Sequence, residues 1–365
     1  MSDTCARITG TDLDRLGFAV YLAATGAKAE ELHARADEAR RAAVGTDVHV
    51  RGIIEFSNYC ERGCFYCGLR HETDTLTRYR MSPDEIVSVA VEAREAGYRT
   101  VVLQSGEDSW FTAEIVADMV RRIKAETDLA VTLSIGERPR EEYALWHDAG
   151  ADRYLLKHET ADRGLYRRLH PDSEYDSRQR CLRWLMELGF QTGSGCMIGL
   201  PGQTLEMLAG DLLLIRDLGV HMAGVGPFIP HPATPLGRAE SGSPNLTLNA
   251  VACLRLLIPH ILLPATTALE TLSENGRRRA LRAGANVIMP NVTPFEYRAR
   301  YEIYPNKASL GRDMREAFAR VTDLILSEGR TVGDDPGHSP AYTVTPSLPG
   351  RGTRGRAVPG GEIAR

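Results

Sequence analysis

Three of the seven cysteines in this 365-residue chain, Cys60, Cys64 and Cys67, fall within eight residues in the spacing CxxxCxxC. Thiolates are soft metal ligands, yet three of them fill neither a tetrahedral zinc site nor a four-cysteine iron–sulfur cluster. A cubane held by three cysteines leaves one iron open, and an open metal position chelates a substrate or cosubstrate, whereas a structural site is closed. The same triplet suits a zinc site that recruits a distant His or Cys, or free thiols. With Cys5, Cys181, Cys196 and Cys253 the total is odd, so a disulfide framework is disfavoured and a reducing compartment is expected. Cys181 and Cys253 fall in amphipathic stretches as core residues, and Cys196 falls in a strand.

Further polar groups stand in or at the ends of apolar β-type runs. Ser105-Gly106-Glu107 follows one run and Glu159 ends another; an acid turned inward there is costly to bury without a partner. Arg51 and Arg153 lie within such runs and Lys157 follows Arg153 by four residues. Period-two alternation sends all three cations toward one interior face, where they require anions.

The elements that position these groups alternate in type. Strands are predicted at Val48–Ser57, Thr100–Gly106, Ala130–Gly136, Arg153–Glu159, Gln191–Leu200, His221–Pro230, Leu262–Leu269 and Asn286–Val292, separated by segments of 3.6-residue periodicity. Ser82-Pro83-Asp84-Glu85 is a helix start, and Gly97, Gly150, Gly189, Gly219 and Gly284 each suit a left-handed helix end just before a strand. Eight βα units in series predict an α/β protein with a complete (β/α)8 barrel of the TIM type; an open doubly wound sheet is the alternative. In such a barrel the chemistry gathers on the loops after the strands, where the cysteine triplet lies. The expected domains are N-terminal capping helices at residues 1–47 beneath the barrel, the barrel at 48–327, and a disordered Gly/Pro/Arg-containing tail at 328–365. A net charge of −4 with both signs interspersed gives no attraction to nucleic acid or to an anionic membrane. With no signal-like start and no apolar run of the ~20 residues that span a bilayer, a cytoplasmic protein is expected.

The triplet, with Tyr66 as the aromatic before its third cysteine, resembles the motif of the radical S-adenosylmethionine superfamily. Within it, the blocks Ile54–Asn58, Cys67–Arg70, Arg78–Met81, Leu103–Asp108, Arg153–Thr160, Gly226–Pro232, Pro264–Ala268 and Asn286–Asn291 resemble the HydE family of [FeFe]-hydrogenase maturases, from about Val48 to Tyr304. The resemblance implies that Cys60, Cys64 and Cys67 bind a [4Fe–4S] cluster. S-adenosyl-L-methionine then chelates the fourth iron, and its reductive cleavage gives a 5′-deoxyadenosyl radical. It places Tyr66 beside the adenine, Ser105, Gly106 and Glu107 at the methionine ammonium, Glu159 at the ribose or ammonium and Arg178 at the carboxylate, with Ser134, Gly136 and Met222 as further contacts. Arg51, Arg153 and Lys157 match positions that bind anionic groups deep in the cavity. Lys157 stands where the family is expected to have Arg, which keeps the charge and loses the planar fork. Thr266 and Thr267 are implied as donors to the same ligand, or as barrel filling, and Tyr301 and Tyr304 as cavity lining.

The substrate implied is a small iron–cysteine complex carrying CO and CN⁻, supplied by a partner maturase and attacked at sulfur during assembly of the di-iron subcluster of the H-cluster. An electron donor is also implied. No cysteine follows Cys253, so no auxiliary cluster is expected. The alternatives are a methylornithine-synthase-like enzyme, or another HydE-like enzyme on a different small anionic substrate. A biotin-synthase-like enzyme and a non-enzymatic iron–sulfur scaffold complete the set.

Overall fold

The computed structural model describes residues 15–342; the first fourteen residues and the part of the predicted tail after residue 342 lie outside the described residues. Ten strands appear in chain order: β1 Asp47–Ser57, β2 Thr100–Ser105, β3 Ala130–Ser134, β4 Arg153–Leu155, β5 Gln191–Ser194, β6 Met197–Ile198, β7 Met222–Ala223, β8 Gly226–Pro227, β9 Val287–Ile288 and β10 Thr331–Val332. The main sheet has eight strands in the order β10-β1-β2-β3-β4-β5-β7, with β9 also on β1, and every pairing is parallel. Single bridges join Met222 to Leu262 and Pro264 to Val287, while β6 and β8 form a short parallel pair above the ends of β5 and β7. The architecture is TIM-like α/β, with helices between successive strands of the main sheet.

Local chemistry explains the boundaries. Ser82 accepts the Glu85 amide while the Glu85 carboxylate accepts the Ser82 amide, a reciprocal cap that starts the helix Pro83–Glu95. The five punctuating glycines, from Gly97 to Gly284, all have φ between 66° and 107°. The predicted runs at Gln191–Leu200 and His221–Pro230 each split in two where the backbones meet: a Cβ on Gly195 would lie 2.0 Å from the Gly224 carbonyl oxygen. The run at Leu262–Leu269 makes only the two bridges, because Pro264 has no amide to donate and Thr266 caps the helix Thr267–Leu272.

At the N-terminal end α1 (Arg15–Leu22) packs along α8 (Leu205–Leu218) and α9 (Pro244–Leu257), and α2 (Ala27–Val44) along α9. At the other end an expectation is corrected: residues 328–342 are not disordered. They add β10 to β1, and residues 336–339 then cross beneath the first residues of β2, β4 and β5. The Pro336 carbonyl accepts from Thr100 Oγ1 at 2.9 Å and Arg153 Nη2 at 2.6 Å, and the Gly337 carbonyl accepts from Arg51 Nη2 at 3.0 Å. Ser339 N–H donates to Gln191 Oε1 at 2.8 Å, and Tyr342 O–H to the Gly189 carbonyl at 2.9 Å. A segment poor in apolar side chains is ordered here through its backbone carbonyls, which a composition argument does not weigh.

Candidate active site

The cysteine loop follows β1 and is fastened by backbone groups. Arg78 donates to the carbonyls of Asn58, Leu69, Arg70 and Thr73, a single guanidinium spanning both ends of the loop. Glu61 N–H donates to the Glu107 carbonyl at 2.9 Å and Gly63 N–H to Asp172 Oδ2 at 2.8 Å. Gly106, at the end of β2, lies so close that an added Cβ would be 2.1 Å from the Tyr59 carbonyl oxygen and 2.6 Å from Cys60 Cβ. Only glycine permits this approach of strand end and cysteine loop.

Cys60, Cys64 and Cys67 are free thiols on one wall of a cavity of about 360 Å³. Tyr66, Gln104, Ser105, Gly106, Glu107, Ser134, Gly136, Lys157, Glu159, Arg178, Thr266, Thr267, Tyr301 and Tyr304 also line it. Burial pushes all three thiols up, Cys67 to about 12, with the neighbouring thiols adding to the effect at Cys64 and Cys67. Such thiols become thiolates only against a strong local cation, which cluster iron provides. Glu159, which lines the same cavity, is also pushed up by burial, against the pull of Lys157 and Arg178. Its Oε2 is buried without a hydrogen-bond partner. Three thiols plus an unsatisfied carboxylate oxygen lining one cavity fit a three-cysteine cluster with a polar, partly cationic cosubstrate beside it.

Arg178, on the helix Tyr175–Glu187 (α7), is held between acids: its Nε is 2.8 Å from Glu137 Oε1 and its Nη2 3.7 Å from Glu107 Oε1. Burial alone would lower its pKa, but Glu137 and Glu107 outweigh burial and hold it well above the ordinary value. Arg62 Nε donates to Glu107 Oε2 at 2.6 Å, so Glu107 bridges two guanidiniums. His170 Nδ1–H donates to the Tyr166 carbonyl at 2.9 Å, which leaves Nε2 to accept the Tyr66 O–H at 2.8 Å. Burial holds His170 at about 4, neutral as that role requires. Tyr66 is thereby fixed beside the third cysteine. Across the cavity Gln104 Nε2 donates to Tyr301 Oη at 3.2 Å.

The structure brings sixteen of the nineteen residues singled out from the sequence to this cavity, and places three elsewhere. Arg51, Arg153 and Met222 do not line the cavity. They lie toward the strand starts, where Arg51 donates to Met222 Sδ at 3.1 Å and the two guanidiniums meet the carbonyls of residues 336 and 337. Burial lowers both, Arg153 to about 10. Period-two alternation placed them inside the barrel but not at which depth. Lys157, closer to the strand ends, does reach the cavity, and no carboxylate pairs with it among the described residues. Sequence reasoning missed Arg62, Arg78, Glu137 and His170. Arg62 stood in plain view between two cysteines; Glu137 was signalled only by its place after β3.

Residues 54–215 match the family model of the radical SAM superfamily. The chain is 50% identical over 306 residues to the [FeFe] hydrogenase maturase subunit HydE of Thermotoga maritima, which covers 84% of this chain and 88% of that protein. It is 29% identical to 3-methylornithine synthase of Methanosarcina acetivorans, over 81% of this chain and 82% of that one. Among solved structures, methylornithine synthase superposes with a TM-score of 0.80 at 25% identity, over 91% of this chain and 97% of that one. The maturase HydG from Carboxydothermus hydrogenoformans superposes with a TM-score of 0.75 at 21% identity, over 90% and 78%.

Proposed function

The chain belongs to the radical S-adenosylmethionine superfamily and, within it, to the HydE maturases, and on that footing we propose that it acts in assembly of the di-iron subcluster of [FeFe]-hydrogenase. It is an enzyme that cleaves S-adenosylmethionine. The substrate we propose is a small iron–cysteine complex carrying CO and CN⁻, delivered by a partner maturase, with a separate electron donor. The observation that carries this reading is the shared cavity, in which the three thiols face Glu159 and an unpaired Lys157.

When bound, the cluster supplies the electron for reductive cleavage of the cosubstrate. The chain's residues do the rest. Cys60, Cys64 and Cys67 hold the cluster; Ser105, Gly106 and Glu107 orient the methionine ammonium and Arg178 its carboxylate. Tyr66 packs beside the adenine, and Glu159 accepts from the ribose or ammonium. Ser134 and Gly136 complete that wall. Lys157, Thr266 and Thr267 hold the anionic end of the substrate, and Tyr301 and Tyr304 close the cavity above it. Arg51 and Arg153 carry no substrate role in this reading, because backbone carbonyls occupy their guanidiniums.

We also read the main sheet as a complete (β/α)8 barrel at 48–327. The Met222–Leu262 and Pro264–Val287 bridges support closure of β7 back to β9 and β1. The helices before residue 47 form a flanking unit, and residues 328–342 belong with the barrel as its floor. No auxiliary cluster is proposed, since no cysteine follows Cys253 in the sequence. The odd cysteine count, with three of the seven clustered at Cys60–Cys67, favours a reducing compartment and so the cytoplasm. No described helix is long and apolar enough to cross a membrane.

The test is 5′-deoxyadenosine formation by anaerobically reconstituted, reduced protein, with Cys64→Ala as the blank. Stimulation by the iron–carbonyl–cyanide cysteine complex is the expected result. Stimulation by lysine instead would assign a methylornithine-synthase-like reaction, and no cleavage by a protein with an intact cluster would leave only a scaffold.

A further inference from the structure

One carboxylate near the cavity is wholly enclosed in protein. Asp211 on α8 is 0% exposed, on the same buried helix face as Leu208, Leu212 and Ile215. Desolvation of such a group is severe unless donors surround it. Its Oδ1 accepts the Ala161 N–H at 2.5 Å and the Thr160 O–H at 3.3 Å, and its Oδ2 accepts Gln203 Nε2–H at 3.1 Å. The Gln203 amide orientation is fixed by its other contacts: Oε1 accepts Gly199 N–H at 2.8 Å and Nε2 also donates to the Met197 carbonyl at 3.0 Å. Asp211 thus ties the turn after β4 to the loop after β6.

That turn begins with Glu159, whose φ is +67°. A non-glycine residue in the left-handed region is strained and persists only when its surroundings impose it. Glu159 N–H donates to the Gly195 carbonyl at 3.0 Å, and its own carbonyl accepts Met197 N–H at 3.4 Å. These bonds fix the residue from the β5–β6 side, and Asp211 fixes the next two residues from the helix side. The result is a carboxylate whose Oε2 has no protein partner, facing the cysteine wall.

We propose that Asp211 is a positioning residue for cosubstrate binding: through Thr160 and Ala161 it holds the Glu159 turn left-handed and so aims the Glu159 carboxylate into the cavity. This rests on the reading of Glu159 as a contact to S-adenosylmethionine. Burial lifts Asp211 to about 7 against the pull of its three donors, as expected of a group kept for geometry rather than for stability. Asp211→Asn keeps the shape but sets one of its N–H groups against the fixed amide of Gln203 or against the Ala161 N–H.

The test is anaerobic calorimetric titration of the cluster-loaded protein with S-adenosylmethionine, with the reduced cluster's electron paramagnetic resonance spectrum as a second readout. Glu159→Gln is expected to weaken binding. Asp211→Asn is expected to weaken it about tenfold and to add no further loss in the Glu159→Gln background. Thr160→Val, which keeps the buried acid and its other donors, is expected to weaken binding a few-fold, and it carries the test should Asp211→Asn not fold. Weakening by Glu159→Gln with wild-type affinity in both Asp211→Asn and Thr160→Val would overturn the proposal, as would a full additive loss in the double variant. Unchanged affinity in Glu159→Gln would instead overturn the reading of Glu159 itself.

Discussion

Replacing Gly106 by Ala separates the fold from the cluster site. The added Cβ would sit 2.1 Å from the Tyr59 carbonyl oxygen, and real Cβ contacts essentially never fall under 3.0 Å, so strand end and cysteine loop must part by about 0.9 Å. Both obstructing atoms are near or on the backbone, so no side chain can swing aside. Overpacking of this kind costs roughly 1–3 kcal/mol. A domain of this size tolerates that, whereas metal–ligand distances are held within about 0.2 Å. Cys60 is the adjacent residue and its Cβ is 2.6 Å from the new atom, so cluster loading should suffer more than folding. The assay is iron per chain after anaerobic reconstitution, beside the urea midpoint of the metal-free protein. Gly219→Ala is the control: Gly219 also has a positive φ, +66°, but nothing within 4 Å of the new Cβ. It should lose about 1 kcal/mol of stability and load normally. Normal iron in Gly106→Ala would refute the argument that this close approach builds the site.

Two further outcomes are expected. Truncation after Val332 removes the carbonyls that satisfy Arg51 and Arg153, and buried charged donors left unpaired cost about 1–3 kcal/mol each; a lower urea midpoint is expected, and an unchanged one would show that residues 333–342 are dispensable. His158 is held at about 3 by burial, with Lys157 and Arg178 adding to it, against 6.5 when unfolded. The unfolded chain therefore binds the extra proton between these values, and the His158 contribution is complete above pH 6.5 and lost as pH drops toward 3; Asp211, 3.9 Å from the His158 Nε2 and lifted by burial, acts in the opposite sense below pH 7. The His158 share lost by pH 5 is about 2 kcal/mol, and His158→Gln should raise the stability at pH 5, relative to that at pH 8, by that much.

Much of the scaffold was legible because it is written in local chemistry. The five glycines before strands and the Ser82–Glu85 cap act within a few residues of themselves, and each appears where expected. The cysteine triplet was legible for the same reason. What escaped depends on partners distant in sequence. Alternation placed Arg51 and Arg153 indoors, but their depth depends on where each strand starts and on carbonyls nearly two hundred residues or more further along. Residues 330–342 looked unable to order because apolar side chains were scarce, and backbone acceptors carry the contacts instead. Asp211 was hidden in an otherwise apolar run, Leu212-Leu213-Leu214-Ile215 following it directly. An acid at the start of such a run is a sign that a buried donor set awaits it.

On the function proposed above, Cys60, Cys64 and Cys67 hold one [4Fe–4S] cluster with an open iron beside Glu159. The most direct measurement is iron and sulfide content together with the electron paramagnetic resonance spectrum of the reduced protein, with and without S-adenosylmethionine. About four irons and four sulfides per chain are expected, with a spectrum that shifts on adding the cosubstrate and is lost in Cys64→Ala. A second cluster's worth of iron retained in Cys64→Ala, or a spectrum indifferent to S-adenosylmethionine, would contradict it.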